Sequence, residues 1–203
     1  YNPVHRIYQG WGEPAGFSGH FVLAYDEDEL VDYGVFDDDN RISRGLKMQD
    51  KARIGAWLTF RGRSGKAMEW MSGTSFTSRD NAVENLNAEN YMYGGLDFNS
   101  MMEYAARIWC DRLHTIDVES KDAGKVNQFY GAFYRASFLP RQMSDVNGDY
   151  PPFAHGETKQ ENSSTLHSSL PKTYGDFSMW DIYRAELPLY NIITPTLSGD
   201  MMQ

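Results

Sequence analysis

From residue 1 to about residue 78, apolar and polar positions follow a period of two. Phe21, Leu23 and Tyr25 interleave with His20, Val22 and Ala24, and Ile54, Ala56, Leu58 and Phe60 interleave with Arg53, Gly55, Trp57 and Thr59. Successive strand side chains point to opposite faces, so this alternation predicts strands with Phe21-Leu23-Tyr25 and Ile54-Ala56-Leu58-Phe60 on the apolar side. Gly10, Gly12, Pro14, Gly16 and Gly19 punctuate the run, as do Gly62, Gly65 and Gly73. Such spacing predicts turns between antiparallel strands of a sandwich. Two acidic clusters, Asp26-Glu27-Asp28-Glu29 and Asp37-Asp38-Asp39, fall between the strands and are expected to be solvated loop charge. A calcium loop opening at Asp37 would need Gly where Ile42 stands.

After Thr77 the period lengthens to that of a helix. Ser78 or Asp80 can cap a short helix through Asn81, Val83, Asn85, Leu86 and Glu89. Ser100 and Glu103 form a capping box for a longer one, whose stripe of Met101, Met102, Ala105, Ile108, Trp109 and Leu113 is expected to be core. A third helix is predicted over 123–139, with Val126, Phe129, Tyr130, Phe133, Tyr134 and Phe138 on one side and Pro140 ending it. Turn formers fill residues 145–152. Asp145, Asn147 and Asp149 alternate like the opening of a calcium loop, but Tyr150 occupies its Gly position. The polar stretch 157–172 is expected to be a surface loop beside the next helix. That helix should run on from Ser178 and kink near Arg184, because Pro188 removes a backbone donor.

Composition narrows the functional classes. The net charge is −9, which argues against binding nucleic acid by neutralising phosphates. Thirteen Tyr and five Trp supply both core and stacking faces. Cys110 is the single cysteine, so no internal disulfide exists, and its place in an apolar helical pattern predicts a buried, inert thiol. No run has the length of a membrane span. The chain opens on Tyr1 in strand-like sequence and closes on residues 198–203, where a helix is expected to begin. It reads as an internal piece of a larger protein. Apolar surface on its later helices, above all the stripe of Phe129, Phe133 and Phe138, should then be covered by the remaining polypeptide or by a second copy.

Chemistry concentrates in Asp176-Phe177-Ser178-Met179-Trp180-Asp181-Ile182-Tyr183-Arg184. Ser178 and Asp181 have capping-box spacing, and Trp180, Asp181 and Arg184 fall within two helical turns. An aromatic plane, a carboxylate and a guanidinium together suit a sugar, which offers an apolar face and hydroxyls. The same residues also suit a capped helix with a core Trp and a structural salt bridge. Tyr183 falls on the other side of the helix and is read as packing.

Five blocks in order resemble glycoside hydrolase family 92, the calcium-dependent exo-acting α-mannosidases. They are Arg6-Ile7-Tyr8 with Pro14-Ala15-Gly16-Phe17-Ser18-Gly19; Phe76-Thr77-Ser78 with Asn81-Ala82 and Asn85-Leu86; Gln128-Phe129-Tyr130 through Phe133-Tyr134-Arg135; Ser144-Asp145-Val146 with Gly148 and Tyr150; and Asp176-Phe177-Ser178 with Trp180-Asp181, Tyr183-Arg184-Ala185 and Pro188-Leu189. The resemblance covers nearly the whole chain.

The resemblance implies a multidomain β-plus-α protein. Residues 1–78 would end an N-terminal β-sandwich, 79–120 would form a helical linker, and 121–203 would start an (α/α)6 barrel. It implies hydrolysis of terminal α-mannosides of glycans with inversion, by a Glu acid and an Asp base, with Ca2+ on the sugar's O2 and O3. Those catalytic residues and the calcium ligands have no counterpart here, so this chain alone should be inactive. Trp180, Asp181 and Arg184 would line the mannose pocket, with Asp181 and Arg184 hydrogen-bonding hydroxyls. Export to the periplasm, cell surface or medium also follows from the resemblance. A non-catalytic carbohydrate-binding protein and a related hydrolase of other sugar specificity are the alternatives. An acid Glu and a Gly-Asn-Asp-type motif after Gln203 would mark a hydrolase.

Overall fold

In the computed structural model of the chain, placements are described for residues 5–12, 19–26, 29–37, 42–45, 54–62, 64–65, 67–93, 97–151, 165–168 and 172–202. The chain divides into two compact units, one of Tyr1–Tyr8 and Leu23–Ser72, the other of Gln9–Val22 and Gly73–Gln203. Side chains of the first motif block, residues 6–8 and 14–18, lie outside the described residues, as does most of the stretch 157–172.

In the first unit, β3 (Leu30–Asp37) lies between β4 (Ile42–Arg44) and β5 (Ile54–Phe60), antiparallel to both. Each of two glycines on this sheet faces an aromatic ring on its partner strand. Gly34 pairs with Trp57 and Gly55 with Phe36. A Cβ on Gly34 would sit 2.9 Å from the Trp57 ring, and one on Gly55 only 2.1 Å from the Phe36 ring. The rings therefore occupy the space that the glycines leave open. This corrects the expected apolar face: Ile54 and Ala56 are exposed while Gly55 and Trp57 turn partly inward. The expected face returns at Leu58 and Phe60, which are half-buried while Thr59 is exposed, and a register irregularity follows between Leu30 and Asp32. The acidic clusters need correcting too. Glu29 and Asp37 are buried, and Asp37 is still paired within the ladder, opposite Ile54.

Strands β1 (His5–Gly12), β2 (Gly19–Asp26) and β6 (Trp70–Ser75) form a second sheet in the order β1-β2-β6. In β2, Phe21 is exposed whereas Val22, Ala24 and Tyr25 are buried, the reverse of the expected face at the first two positions. Both faces of this strand are apolar, so alternation alone could not choose between them.

The change to helices falls between Ser75 and Arg79. Helix α1 (Arg79–Tyr93) is longer than expected, and Ser78 Oγ caps it by accepting the Asn81 N–H at 3.0 Å. Helix α2 (Phe98–Leu113) begins one turn before the expected capping box. Asp97 is its cap, accepting the N–H groups of Asn99 and Ser100, both at 3.2 Å. Helix α3 (Ala123–Ala136) is capped by Asp122 and closes at Ser137, short of residue 139. The stripe of α2 is not core: none of its residues is buried, and Met102 and Ile108 are exposed. Trp109 packs on Tyr134 and Phe138, at centroid distances of 4.5 and 5.7 Å, which covers only one edge of the stripe. Cys110 is exposed rather than buried for the same reason.

Four two-residue strands follow, which no hydrophobic pattern marks. Here β7 (Arg141–Gln142) pairs with β10 (Tyr174–Gly175), and β8 (Asp149–Tyr150) with β9 (Leu166–His167), both antiparallel. The helix expected to kink near Arg184 breaks instead. Helix α4 (Met179–Ile182) stops, and α5 (Glu186–Ile193) and α6 (Pro195–Met201) follow. Pro188 lies in the first turn of α5, where its missing N–H would have no intrahelical partner. Ile182, Leu187, Tyr190 and Met201 form a buried core, with Tyr174 and Phe177 packed against it. Tyr190 spans from this core to the end of α3, donating its hydroxyl to Ala136 O at 2.6 Å, and the Arg112 guanidinium lies 5.1 Å from its ring. No described helix is long and apolar enough to cross a membrane.

Candidate functional site

Two of the motif blocks meet around one carboxylate. Asp145 is 4% exposed. Its Oδ2 accepts hydrogen bonds from Ser75 Oγ at 2.9 Å, from Thr77 Oγ1 and from Asn81 Nδ2 at 3.2 Å, and its Oδ1 accepts from Asn85 Nδ2 at 2.6 Å. Asn81 and Asn85 stand four apart, on one face of α1. Ser75 Oγ also accepts the N–H groups of Thr77 and Ser78, which closes the turn from β6 into α1. The charge is therefore held by neutral hydroxyls and amides, and no ion pair reaches it among the described residues. Burying a carboxylate costs several kcal/mol, and hydrogen bonds from well-placed donors are what offset it. His20 lies in the same field. Burial, then the Arg79 charge, hold its imidazole below the ordinary value against the pull of Asp145.

The loop after Asp145 is fixed as tightly. Gly148 N–H donates to Asp145 O at 3.0 Å, and Gly148 has a φ of +91°. A Cβ there would lie 2.8 Å from Ser168 O, so the turn needs glycine. Asp149 accepts from Asn81 Nδ2 at 2.8 Å and Asn147 Nδ2 at 3.1 Å, and lies 3.0 Å from His167 Nδ1. Calcium does not fit Asp145-Asn147-Asp149, because the carboxylate oxygens already face amide and hydroxyl hydrogens. Among the described residues, no group of three or more His, Cys, Asp or Glu could hold a metal ion.

The Asn81, His167 and Asn147 contacts, Asn81 foremost, hold the Asp149 carboxyl below its ordinary value of 3.8. A depressed carboxyl stabilises the fold above that value, and the contribution disappears as pH falls through the lower folded value. Wild-type protein should therefore lose stability with acid below about pH 4 more steeply than Asp149→Asn. Unfolding midpoints measured from pH 6 to pH 3 would show parallel curves if Asp149 contributed nothing.

The predicted sugar-facing residues lie on the turn between β10 and α5. Trp180 is 82% exposed, and Asp181, Tyr183 and Arg184 are exposed with it, while Ile182 between them is buried. Ser178 makes no side-chain cap, which corrects the expected capping box. The reason is backbone: Asp176 and Ser178 have φ values of +60° and +27°, in the left-handed region. Such residues cost about 1–3 kcal/mol each and persist only where the surroundings hold them. Arg141 supplies part of that hold, its Nε donating to Asp176 Oδ2 at 2.7 Å and its terminal nitrogen pairing with the same oxygen.

Because α4 ends at Ile182, Asp181 and Arg184 do not share a helix face and form no ion pair with each other. Arg184 instead pairs with its neighbour. Its Nε donates to Tyr183 Oη, and its guanidinium lies 5.1 Å from the Tyr183 ring. Tyr183 is thus an exposed partner of Arg184 rather than packing. The turn presents an open indole, a carboxylate and a Tyr-supported guanidinium on one short stretch. Pattern reasoning missed Arg141 and its pairing with Asp176, 35 positions away, which carries no spacing signal. The Asp145 network did leave one, in the Asn81 and Asn85 amides at helical spacing.

Several solved structures share this fold. The family GH92 inverting mannosidase BT2199 from Bacteroides thetaiotaomicron superposes with a TM-score of 0.74 at 20% identity, over 94% of this chain. The family GH92 alpha-mannosidase BT3965 from Bacteroides thetaiotaomicron gives 0.72 at 18% identity over 91%, as does its complex with mannoimidazole. The chain spans about a quarter of the length of these structures, between 23% and 25%. No curated protein matches it. The sequence model described as the Glycosyl hydrolase family 92 catalytic domain matches residues 81–203. These residues make up more than half of the chain and include Asn81, Asp145 and the Trp180 turn, and the chain accordingly belongs to glycosyl hydrolase family 92.

Proposed function

We propose that this chain is part of an exo-acting α-mannosidase that removes terminal α-mannose from glycans with inversion, and that it supplies one wall of the mannose pocket. On this reading residues 1–78 end a β-sandwich, 79–120 link it to the catalytic domain, and 121–203 begin an (α/α)6 barrel. The general acid, the general base and the ligands of Ca2+ lie in other parts of the protein, which is exported to the periplasm, cell surface or medium. Inversion asks for acid and base carboxyls roughly 6.5–9.5 Å apart, with a water between them and the sugar.

The observation that carries this reading is Trp180, an indole left open beside the Asp181 carboxylate within the stretch that matches the catalytic domain. An exposed indole stacks on the C–H face of a sugar. A carboxylate accepts hydroxyl hydrogens, and the guanidinium of Arg184 donates to ring or hydroxyl oxygens. None of these roles moves a proton.

In the full-length protein, Asp181→Asn should lower kcat/KM on an aryl α-mannoside by about tenfold to a hundredfold, the loss of one charged hydrogen bond. Trp180→Ala should raise KM, and both variants should keep the shape of the pH–rate profile. Loss of one limb of that profile in Asp181→Asn would make Asp181 an acid or base. Unchanged kinetics with a lower melting temperature would make it purely structural.

A further inference from the structure

We propose that Arg141 is a positioning residue for the surface formed by Trp180 and Asp181, acting through Asp176; this rests on the reading of that surface as the sugar-facing wall. The Trp180 turn cannot hold its own shape. Helix α4 is four residues long, Ser178 gives it no cap, and two of the three residues before it are non-glycine residues at positive φ. What fixes the turn lies on either side. Behind it, Gly175 is buried and pairs with Arg141 in the β7–β10 ladder, while Phe177 and Ile182 enter the core. In front, the Arg141 side chain reaches one residue past the ladder to Asp176, with two nitrogens on a single oxygen. Strand and turn are thereby joined at backbone and side chain together.

The pair is open to water, at 67% for Arg141 and 42% for Asp176. Charge pairs so exposed add little to global stability, so the consequence of this one falls on geometry. The two-nitrogen contact also calls for arginine, since the compact lysine charge cannot reproduce the planar fork.

The test uses the full-length protein with an aryl α-mannoside as probe. Arg141→Ala should raise KM about tenfold with kcat within about twofold, because a pocket wall is misplaced while the reacting groups are untouched. Its melting temperature should stay within about 2–4 °C of wild type. Asp176→Gly tolerates the left-handed backbone but removes the carboxylate, and should match Arg141→Ala. Arg141→Lys should fall between wild type and Arg141→Ala.

If Trp180→Ala raises KM and Arg141→Ala does not, the positioning role is overturned while the sugar-facing reading stands. If neither moves KM, or the wild-type protein does not turn over the probe, that reading fails and takes the positioning role with it. A large fall in melting temperature in Arg141→Ala, with KM unchanged in Asp176→Gly, would make the pair a structural tie and overturn the proposal.

Discussion

Asp145→Ala should destabilise the protein by about 3–5 kcal/mol, although no ion pair reaches its carboxylate among the described residues. Ser75, Thr77, Asn81 and Asn85 all donate to that carboxylate, and the substitution leaves them facing an apolar methyl. Each buried donor left unpaired costs about 1–3 kcal/mol, and water entering the gap recovers part of the sum. Asp145→Asn should cost less, about 1–3 kcal/mol, since one oxygen survives. It is not silent, because its amide hydrogens would meet those of a neighbouring donor. Asn85 cannot simply turn over to accept them, as its Oδ1 already takes the Val146 N–H at 2.9 Å. Denaturant unfolding of the three proteins measures both steps. An Ala variant within about 1 kcal/mol of wild type would mean that the network adds nothing beyond hydration.

The second large effect comes from a residue with no side chain. A Cβ on Gly73 would lie 2.5 Å from Ala82 O, 2.7 Å from Leu86 Cβ and 3.1 Å from Val22 Cγ1. Val22, Ala82 and Leu86 are buried, and the first contact is with backbone, so relief requires α1 to move off the strand. Moving it would also disturb the Asn81 and Asn85 bonds to Asp145. Gly73→Ala should therefore cost about 3 kcal/mol, the upper part of the range for overpacking. Gly62→Ala is the control. Nothing among the described residues lies within 4 Å of its Cβ position, and its stability should hold or rise by up to about 1 kcal/mol. Equal stability of the two variants would refute close packing at Gly73.

The elements most legible in the sequence were those with a long period and a local signal. Helices α1, α2 and α3 were found, and Ser78 caps as expected, because a cap and an apolar stripe are both written within a few residues. The choice of face was less legible. Phe36 and Trp57 fill the space above glycines on a partner strand, so a position that looks empty in the sequence is packed in the fold. Burial of the α2 stripe was misjudged because amphipathicity records what a helix can cover and not whether a partner is present. At the candidate site the residue types were readable but their geometry was not. The left-handed Asp176 and Ser178 come directly after the pairing of residues 141–142 with 174–175, which no local pattern encodes. The helix breaks after Ile182 and restarts only at Glu186, which separates Asp181 from Arg184.

The Asp145 network also bears on how the chain is made. Its donors lie 60–70 positions before their acceptor. At about 5–20 residues per second, a ribosome takes roughly 3–14 s to reach Asp145 after Ser75 and Asn85. Through that interval the strand-to-helix junction can be built and capped by Ser78, yet the donors that Asp145 later takes have water in its place. The block at 75–85 is thus synthesised as half of a lock, and arrival of the 144–149 loop closes it after α2 and α3 have already emerged.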